Sequence, residues 1–260
     1  MKNSVILTAA LLCVAGFAHS QTTTAAINAA NVHSVNPENA EVFTPIPNVV
    51  KPGKTFSDAP SDALVLFDGK NLDEWTSEDK SAAKWDVHDG IITVNKKAGD
   101  IVTKKKFNSF QLHIEFKIPA NIEGEGQERG NSGVFLQGQY EIQVLDNSLN
   151  KNKTYTNGMV GSVYREAIPL ANPENVPGVW NAYDIAYSAP EFNEDGTVKS
   201  PAHVTVFLNG VMVQNNTEIQ GFTSTDKRHV YVKHGPGELR LQAHGDKSRP
   251  ISYRNIWIRE

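Results

Sequence analysis

The chain has 260 residues, with 25 Lys and Arg against 29 Asp and Glu, a formal charge of −4 with histidines neutral. That mild acidity gives no electrostatic reason to expect a nucleic acid or an anionic membrane as partner. The single cysteine, Cys13, falls in an N-terminal leader-like segment, so disulfides, thiolate catalysis and cysteine-ligated zinc are excluded for the rest of the chain.

Residues 1–20 have the layout of a secretory signal peptide. Lys2 forms a short positive region, Val5 to Phe17 is apolar but too short to span a bilayer, and Ala18-His19-Ser20 ends in small residues. Export to the periplasm or beyond is the expectation. Removing these residues leaves 24 basic and 29 acidic residues, a charge of −5. Residues 21–60 read as a tether, since Gln21 to Asn31 is rich in Thr, Ala and Asn and prolines recur from Pro37 to Pro60 without hydrophobic periodicity.

From Ser61 onward the pattern is β. Leu64 to Phe67 is apolar and ends at the turn Asp68-Gly69. Trp85 to His88 and Ile91 to Val94 flank Asp89-Gly90, a strong hairpin signal. Phe110 to Ile118 alternates strictly between apolar and polar residues. Strands are expected again at Val134–Leu136, Tyr140–Leu145, Tyr183–Tyr187, His203–Leu208, Val211–Val213, Leu239–Ala243 and Ile251–Ile258, with Asn209-Gly210 as a second hairpin turn. No long amphipathic helix and no internal repeat interrupts the series. About 200 residues of short alternating strands indicate one all-β domain, a sandwich, jelly roll or barrel, over residues 61–260.

Alternation also sorts the polar residues by face. With Phe110, Leu112, Ile114, Phe116 and Ile118 in the core, His113, Glu115 and Lys117 point away from it. Glu141 and Gln143 do the same on their strand, and Arg240, Gln242 and His244 on theirs. A solvated outer face is the ordinary reading of such a pattern. Acid, amide and imidazole groups together also form a hydrogen-bonding surface suited to a sugar. In the loop from Glu123 to Gly133, glycines allow close backbone approach, Arg129 offers a rigid donor fork and Asn131 both donates and accepts. There is no phosphate loop, nucleophile elbow or His-Glu-x-x-His helix. His33, His88, His203, His229 and His234 lie in no motif and read as structural or surface residues.

Several motifs come in an order that carries a resemblance. They are Leu66-Phe67-Asp68-Gly69-Lys70-Asn71-Leu72, Gly99-Asp100-Ile101-Val102-Thr103, Arg129 to Gly138, Tyr140 to Asp146, Pro177 to Asp184, Leu208 to Val211, Leu241-Gln242-Ala243-His244-Gly245 and Tyr253 to Glu260. Over nearly all of residues 62–260 the chain resembles the 3-keto-disaccharide hydrolase family, also called the 3-keto-glucoside 1,2-lyase and hydratase domain. The resemblance implies a concanavalin-like jelly roll acting on glycosides oxidised at C3. A C3 ketone acidifies the C2 hydrogen, so a base can form the enolate and its collapse expels the C1 substituent. Water can then add to the 2-hydroxy-3-keto-glucal. Such a route needs a base, an acid and an electrophile for the enolate oxygen. The resemblance implies His244 as leading acid/base, Glu141 and Glu115 as carboxylate partners, and Arg129, Asn131, Gln143 and Gln242 as binders of sugar hydroxyls or the enolate. A divalent metal held by His and carboxylate could supply the electrophile. The chain departs from the family pattern at Ala243, where Asp is frequent, and matches only loosely over Gly161 to Leu170.

Two other functions stay open at this level. Glu141 and Asp146 have the outer spacing of the Glu-x-Asp-x-x-Glu strand of retaining β-glucanases, which need two carboxyls about 5 Å apart. A non-catalytic carbohydrate-binding sandwich would draw on Trp75, Trp85, Trp180 or Trp257 for stacking.

Overall fold

The computed structural model describes Glu41 and residues 43–260, so the leader expected over residues 1–20 and most of the tether lie outside the described residues. The unit Val49–Glu260 is compact. It contains β1 (Leu64–Phe67), β2 (Trp75–Ser77), β3 (Asp86–His88), β4 (Ile91–Thr93), β5 (Ile101–Phe107), β6 (Phe110–Lys117), β7 (Ser132–Leu136) and β8 (Tyr140–Val144). The series continues with β9 (Trp180–Ser188), β10 (Glu191–Phe192), β11 (Val198–Ser200), β12 (His203–Leu208), β13 (Val211–Glu218), β14 (Gly237–Leu241) and β15 (Ser252–Arg259).

All the pairings are antiparallel. One sheet has eight strands in the order β13-β12-β9-β6-β15-β4-β3, with β1 also pairing β15. The other has five, in the order β2-β5-β14-β7-β8, and β10-β11 form a separate ribbon. Both Gly-containing turns expected from sequence close hairpins, β3–β4 through Asp89-Gly90 and β12–β13 through Asn209-Gly210. Asp89 and Asn209 adopt positive φ, which short polar side chains tolerate.

The two sheets face one another across a continuous apolar core. Leu112, Ile114, Phe116, Tyr183, Ile185, Val206 and Ile258 come from the large sheet, and Ile101, Val134, Leu136, Ile142, Val144, Leu239 and Leu241 from the small one. Three tyrosines of the large sheet bridge to the small one. Tyr183 donates to Gln143 O at 2.6 Å, Tyr187 to Gln137 Oε1 at 2.7 Å, and the Tyr253 and Ser132 hydroxyls lie 2.7 Å apart. These bonds satisfy buried phenols that would otherwise be costly. The architecture is the expected all-β jelly-roll sandwich.

The compact unit begins at Val49, inside the stretch expected to be tether. Ser57 O accepts from Asn255 Nδ2 and Trp257 Nε1, both at 2.9 Å, so this part of the chain covers the outer face of the large sheet.

Candidate active site

Register across the small sheet assembles the polar face. Glu141 lies opposite Phe135, Phe135 opposite Arg240, and Arg240 opposite Val102. In the next row Gln143 faces Gly133, and Gln242 N–H donates to Gly133 O at 3.0 Å. Tyr140, Ile142 and Val144 point inward, so Glu141 and Gln143 point out. Yet Glu141 is only 4% exposed and Gln143 only 1%. The reason is that β8 is not a bare edge. Residues 161–164 run antiparallel beside it, with Gln143 N–H to Ser162 O at 3.1 Å and Tyr164 N–H to Glu141 O at 3.0 Å.

Gly133 makes room for the Glu141 carboxyl, because a Cβ built there would collide with Glu141 Oε1 and lie 2.7 Å from Phe135 Cε2. Among the described residues no donor bonds to that carboxyl. Burial pushes its pKa up to about 8; Arg240 opposes the shift and Asp100 adds to it. Arg240 lies 3.6 Å above the Phe135 ring and bonds Asp100 at 2.6 Å. A buried carboxyl titrating near neutrality can donate a proton and take it back.

His244 follows β14. Its Nδ1 is 2.8 Å from Asp246 Oδ2. Burial alone would raise Asp246, but hydrogen bonds from His244, Lys96 and Ser248 outweigh it and hold this carboxylate far below its usual range. Fixed as an anion, Asp246 accepts a hydrogen bond from Nδ1–H, which leaves Nε2 as the acceptor of that tautomer. Gly130 N–H bonds Ser248 Oγ at 3.1 Å, which ties this turn to the segment leading into β7.

Amides complete the face. Asn131 Nδ2 donates to Gln127 O at 2.9 Å, and Gln143 Nε2 donates to Gln127 Oε1 at 2.9 Å. Gln127, unremarked in the sequence, is therefore the hub that orients both. Asn131 Oδ1 and Gln242 Oε1 are buried with no donor among the described residues. Such acceptors are costly unless a ligand's O–H groups meet them.

Other expected site residues lie elsewhere. Glu115 sits on the outer face of the large sheet, on the far side of the core from Glu141 and His244. There it accepts from Arg254 Nε at 2.6 Å and Asn255 Nδ2 at 2.9 Å. Burial alone would raise Glu115, but bonds from His113, Asn255 and Arg254 bring it down to about 2. Burial likewise opposes charge on His113, and the Asp184 and Glu115 carboxylates prevail, raising it to about 9. His113 stacks on Trp257 with centroids 5.4 Å apart. This is a buried ion network beneath Ser57, separate from the Glu141 face. Periodicity shows that Glu115 points away from the core; it does not specify the sheet. Arg129 binds Asp146 at 2.6 Å and the Ile122 carbonyl at 3.1 Å, so it braces a loop and borders a pocket of about 530 Å³ with Lys151, Val176 and Pro177.

The donor set does not fit a metal held by His and carboxylate. The Asp246 carboxylate beside His244 is already bonded by Lys96 and Ser248, and no cluster of three His, Asp or Glu with coordinating geometry occurs among the described residues. Asp146, the second acid of a β-glucanase-like pair, lies beyond the end of β8 with Arg129 and Ser148 on its oxygens. Trp75 and Trp85 belong to the core, Trp257 packs under Ser57, and Trp180 lies under Lys117 and Arg254, which leaves no tryptophan platform beside Glu141. Ala243 packs against the core, so the missing Asp takes no group from the Glu141 face.

Similar proteins fit this architecture. A crystal structure of a Parabacteroides distasonis protein, described as a candidate glycosyl hydrolase, is 56% identical, covers 87% of this chain and 97% of its own, and has a TM-score of 0.82. A second protein from that organism, with a TM-score of 0.53 and 23% identity over 76% of this chain and 93% of its own, shares the fold. The curated 3-keto-disaccharide hydrolase of Bacteroides thetaiotaomicron is 29% identical over a 158-position alignment that covers 47% of this chain; the chain spans about half, 51%, of that relative's length. The model of the 3-keto-alpha-glucoside-1,2-lyase-like domain matches residues 62–259, and the chain belongs to that family.

Proposed function

We propose that the chain is an exported carbohydrate-active enzyme that cleaves glycosides oxidised at C3, by C2 proton abstraction, C1 elimination and hydration. One observation carries the reading. A buried carboxyl that titrates near neutrality, Glu141, points from the outer face of the small sheet; Asn131 and Gln242 carry buried amide oxygens that lack donors, and the carboxylate-oriented imidazole of His244 follows two residues after Gln242. His244 Nε2 takes the C2 proton, and Glu141 protonates the leaving glycosidic oxygen. Water then adds at C1 and gives a proton to Glu141, while C2 takes a proton from His244 after that imidazolium has exchanged with solvent. Asn131, Gln143 and Gln242 bind sugar hydroxyls. Family membership and the similarity to the Bacteroides hydrolase support the 3-keto substrate class. The signal-peptide layout of residues 1–20 supports export, checked by sequencing the N-terminus of protein recovered from the periplasmic fraction.

The test is a 3-keto-glucoside with a chromogenic leaving group beside its unoxidised parent, each with and without a chelator. Release from the keto substrate alone, lost in His244→Ala, is expected. Release from the parent would move the chemistry to ordinary glycoside hydrolysis.

A further inference from the structure

The elimination route leaves one requirement unmet by Glu141 and His244, a donor for the oxygen that becomes negative when C2 loses its proton. The loosely matching segment from Gly161 to Leu170 places a candidate. Ile142 bridges Val163, and both are buried in the core. The residues adjoining them, Glu141 and Tyr164, must therefore share the opposite face, and Tyr164 N–H bonds Glu141 O at 3.0 Å. Tyr164 is thus Glu141's neighbour across the strand, at the edge of the polar face.

Its hydroxyl is held in place. Tyr155 Oη lies 2.5 Å from Tyr164 Oη. The Arg165 guanidinium lies over both rings, 5.4 Å from Tyr155 and 5.7 Å from Tyr164, and bonds Thr225 O. Arg165 occupies the left-handed region, with φ of 61°, and its N–H bonds Asn157 O at 2.7 Å. A long side chain held there is a local strain of the kind that gathers at functional sites. Tyr155 packs so closely on Gly158 that a Cβ at that position would overlap its ring. When Tyr155 donates to Tyr164, the Tyr164 O–H is free to donate outward.

We infer that Tyr164 is a further catalytic residue, donating a hydrogen bond to the C3 oxygen of the keto sugar as it becomes an enolate, with Tyr155 and Arg165 as positioning residues. This rests on the reading of the Glu141 face as the 3-keto-glycoside site. In the step, the C2–H bond breaks, its proton goes to His244 and its electron pair forms C2=C3. The carbonyl π pair moves onto O3, where Tyr164 O–H meets it. The ketone then re-forms, C1=C2 forms, and the C1–O bond breaks with its pair on the leaving oxygen, which Glu141 protonates. Atoms and electrons balance with no oxidant or reductant. Burial above all, and the nearby Glu141 charge, hold the Tyr164 phenol above its ordinary range, so it remains a donor across working pH.

The test compares wild type with Tyr164→Phe on a 3-keto-glucoside and its C2-deuterated form, with thermal unfolding of both proteins. Loss of one preorganised oxyanion donor is expected to lower kcat about 100-fold with KM within about threefold, a larger C2 isotope effect and a melting temperature shifted by only a few degrees. A structural role alone would move the melting temperature and leave the isotope effect unchanged. If Tyr164→Phe fails to fold, Tyr155→Phe takes its place, with kcat expected to fall about tenfold because the donor is present but unoriented. An active wild type with kcat within about twofold in the tyrosine variant overturns the tyrosine assignment alone. A wild type that does not turn over the keto substrate overturns the reading of the face as well.

Discussion

Replacing Glu141 by Gln isolates the cost of burying this acid. The carboxyl has an ordinary value of 4.5 and is raised by burial to about 8 in the folded protein. Below the ordinary value both folded and unfolded chains carry the proton. As pH rises from there toward 8, the unfolded chain releases it first, so folding stability falls; above about 8 both states are ionised and the loss is complete. At about 1.4 kcal/mol per pH unit, the loss is about 3 kcal/mol near neutrality and about 5 kcal/mol on the alkaline plateau. Glutamine has nearly the same shape and no titration. The stability difference between Glu141→Gln and wild type should therefore grow in favour of the variant from mildly acidic to mildly alkaline pH and then level off. Urea unfolding of both proteins at matched pH values measures that difference, and every titration outside the site cancels in it. A difference that is flat with pH, or that grows in the opposite direction, would refute burial as the cause of the raised pKa. The same variant should lose turnover, since an amide cannot protonate the leaving oxygen.

The remaining predictions concern neighbours on both faces. Gly133→Ala forces a methyl group onto Glu141 Oε1 and should lower activity steeply while costing about 1–3 kcal/mol in chemical denaturation. Asp246→Asn should reduce kcat by about 100-fold or more with the fold retained, because His244 loses the anion that fixes its tautomer. Gln127→Ala removes the Oε1 that accepts from Gln143 at 2.9 Å and from Asn131 at 3.3 Å, while Asn131 keeps its bond to the main-chain oxygen, and should appear chiefly as a higher KM for the keto substrate. Glu115→Ala should leave kcat/KM unchanged and cost about 2–3 kcal/mol, since it strips a carboxylate from the buried His113 and the partly exposed Arg254.

Much of the fold was legible because alternation and turn chemistry agree. Asp89-Gly90 and Asn209-Gly210 each separate apolar runs, and each closes the expected hairpin. β5 was missed because Lys104, Lys105 and Lys106 in its middle break the alternation, and all three are exposed. β2 is only three residues long and gives no period to read. Within the site, Glu141, Gln143 and Gln242 follow from parity along their strands, since one face of each strand must enter the core. Glu115 satisfied the same parity but belongs to the other sheet, information held in the long-range pairing of β6 with β9 and β15. Gln127 and Tyr164 lie in irregular segments with no periodicity. Their place is set by hydrogen bonds to distant residues, such as Gln127 to Thr154 at 2.8 Å. Asp100 stood in a recognised motif, but its partner Arg240 is 140 positions away in the chain and only the β5–β14 pairing brings them together.

The most direct test of C2 chemistry is turnover of a 3-keto-glucoside in D2O, with the released sugar examined by NMR at early times against a control without enzyme. Elimination followed by hydration should place solvent deuterium at C2 of the released 3-keto sugar in step with bond cleavage. Cleavage with the original C2 proton retained throughout would contradict the account and assign the Glu141 and His244 face to direct displacement at C1.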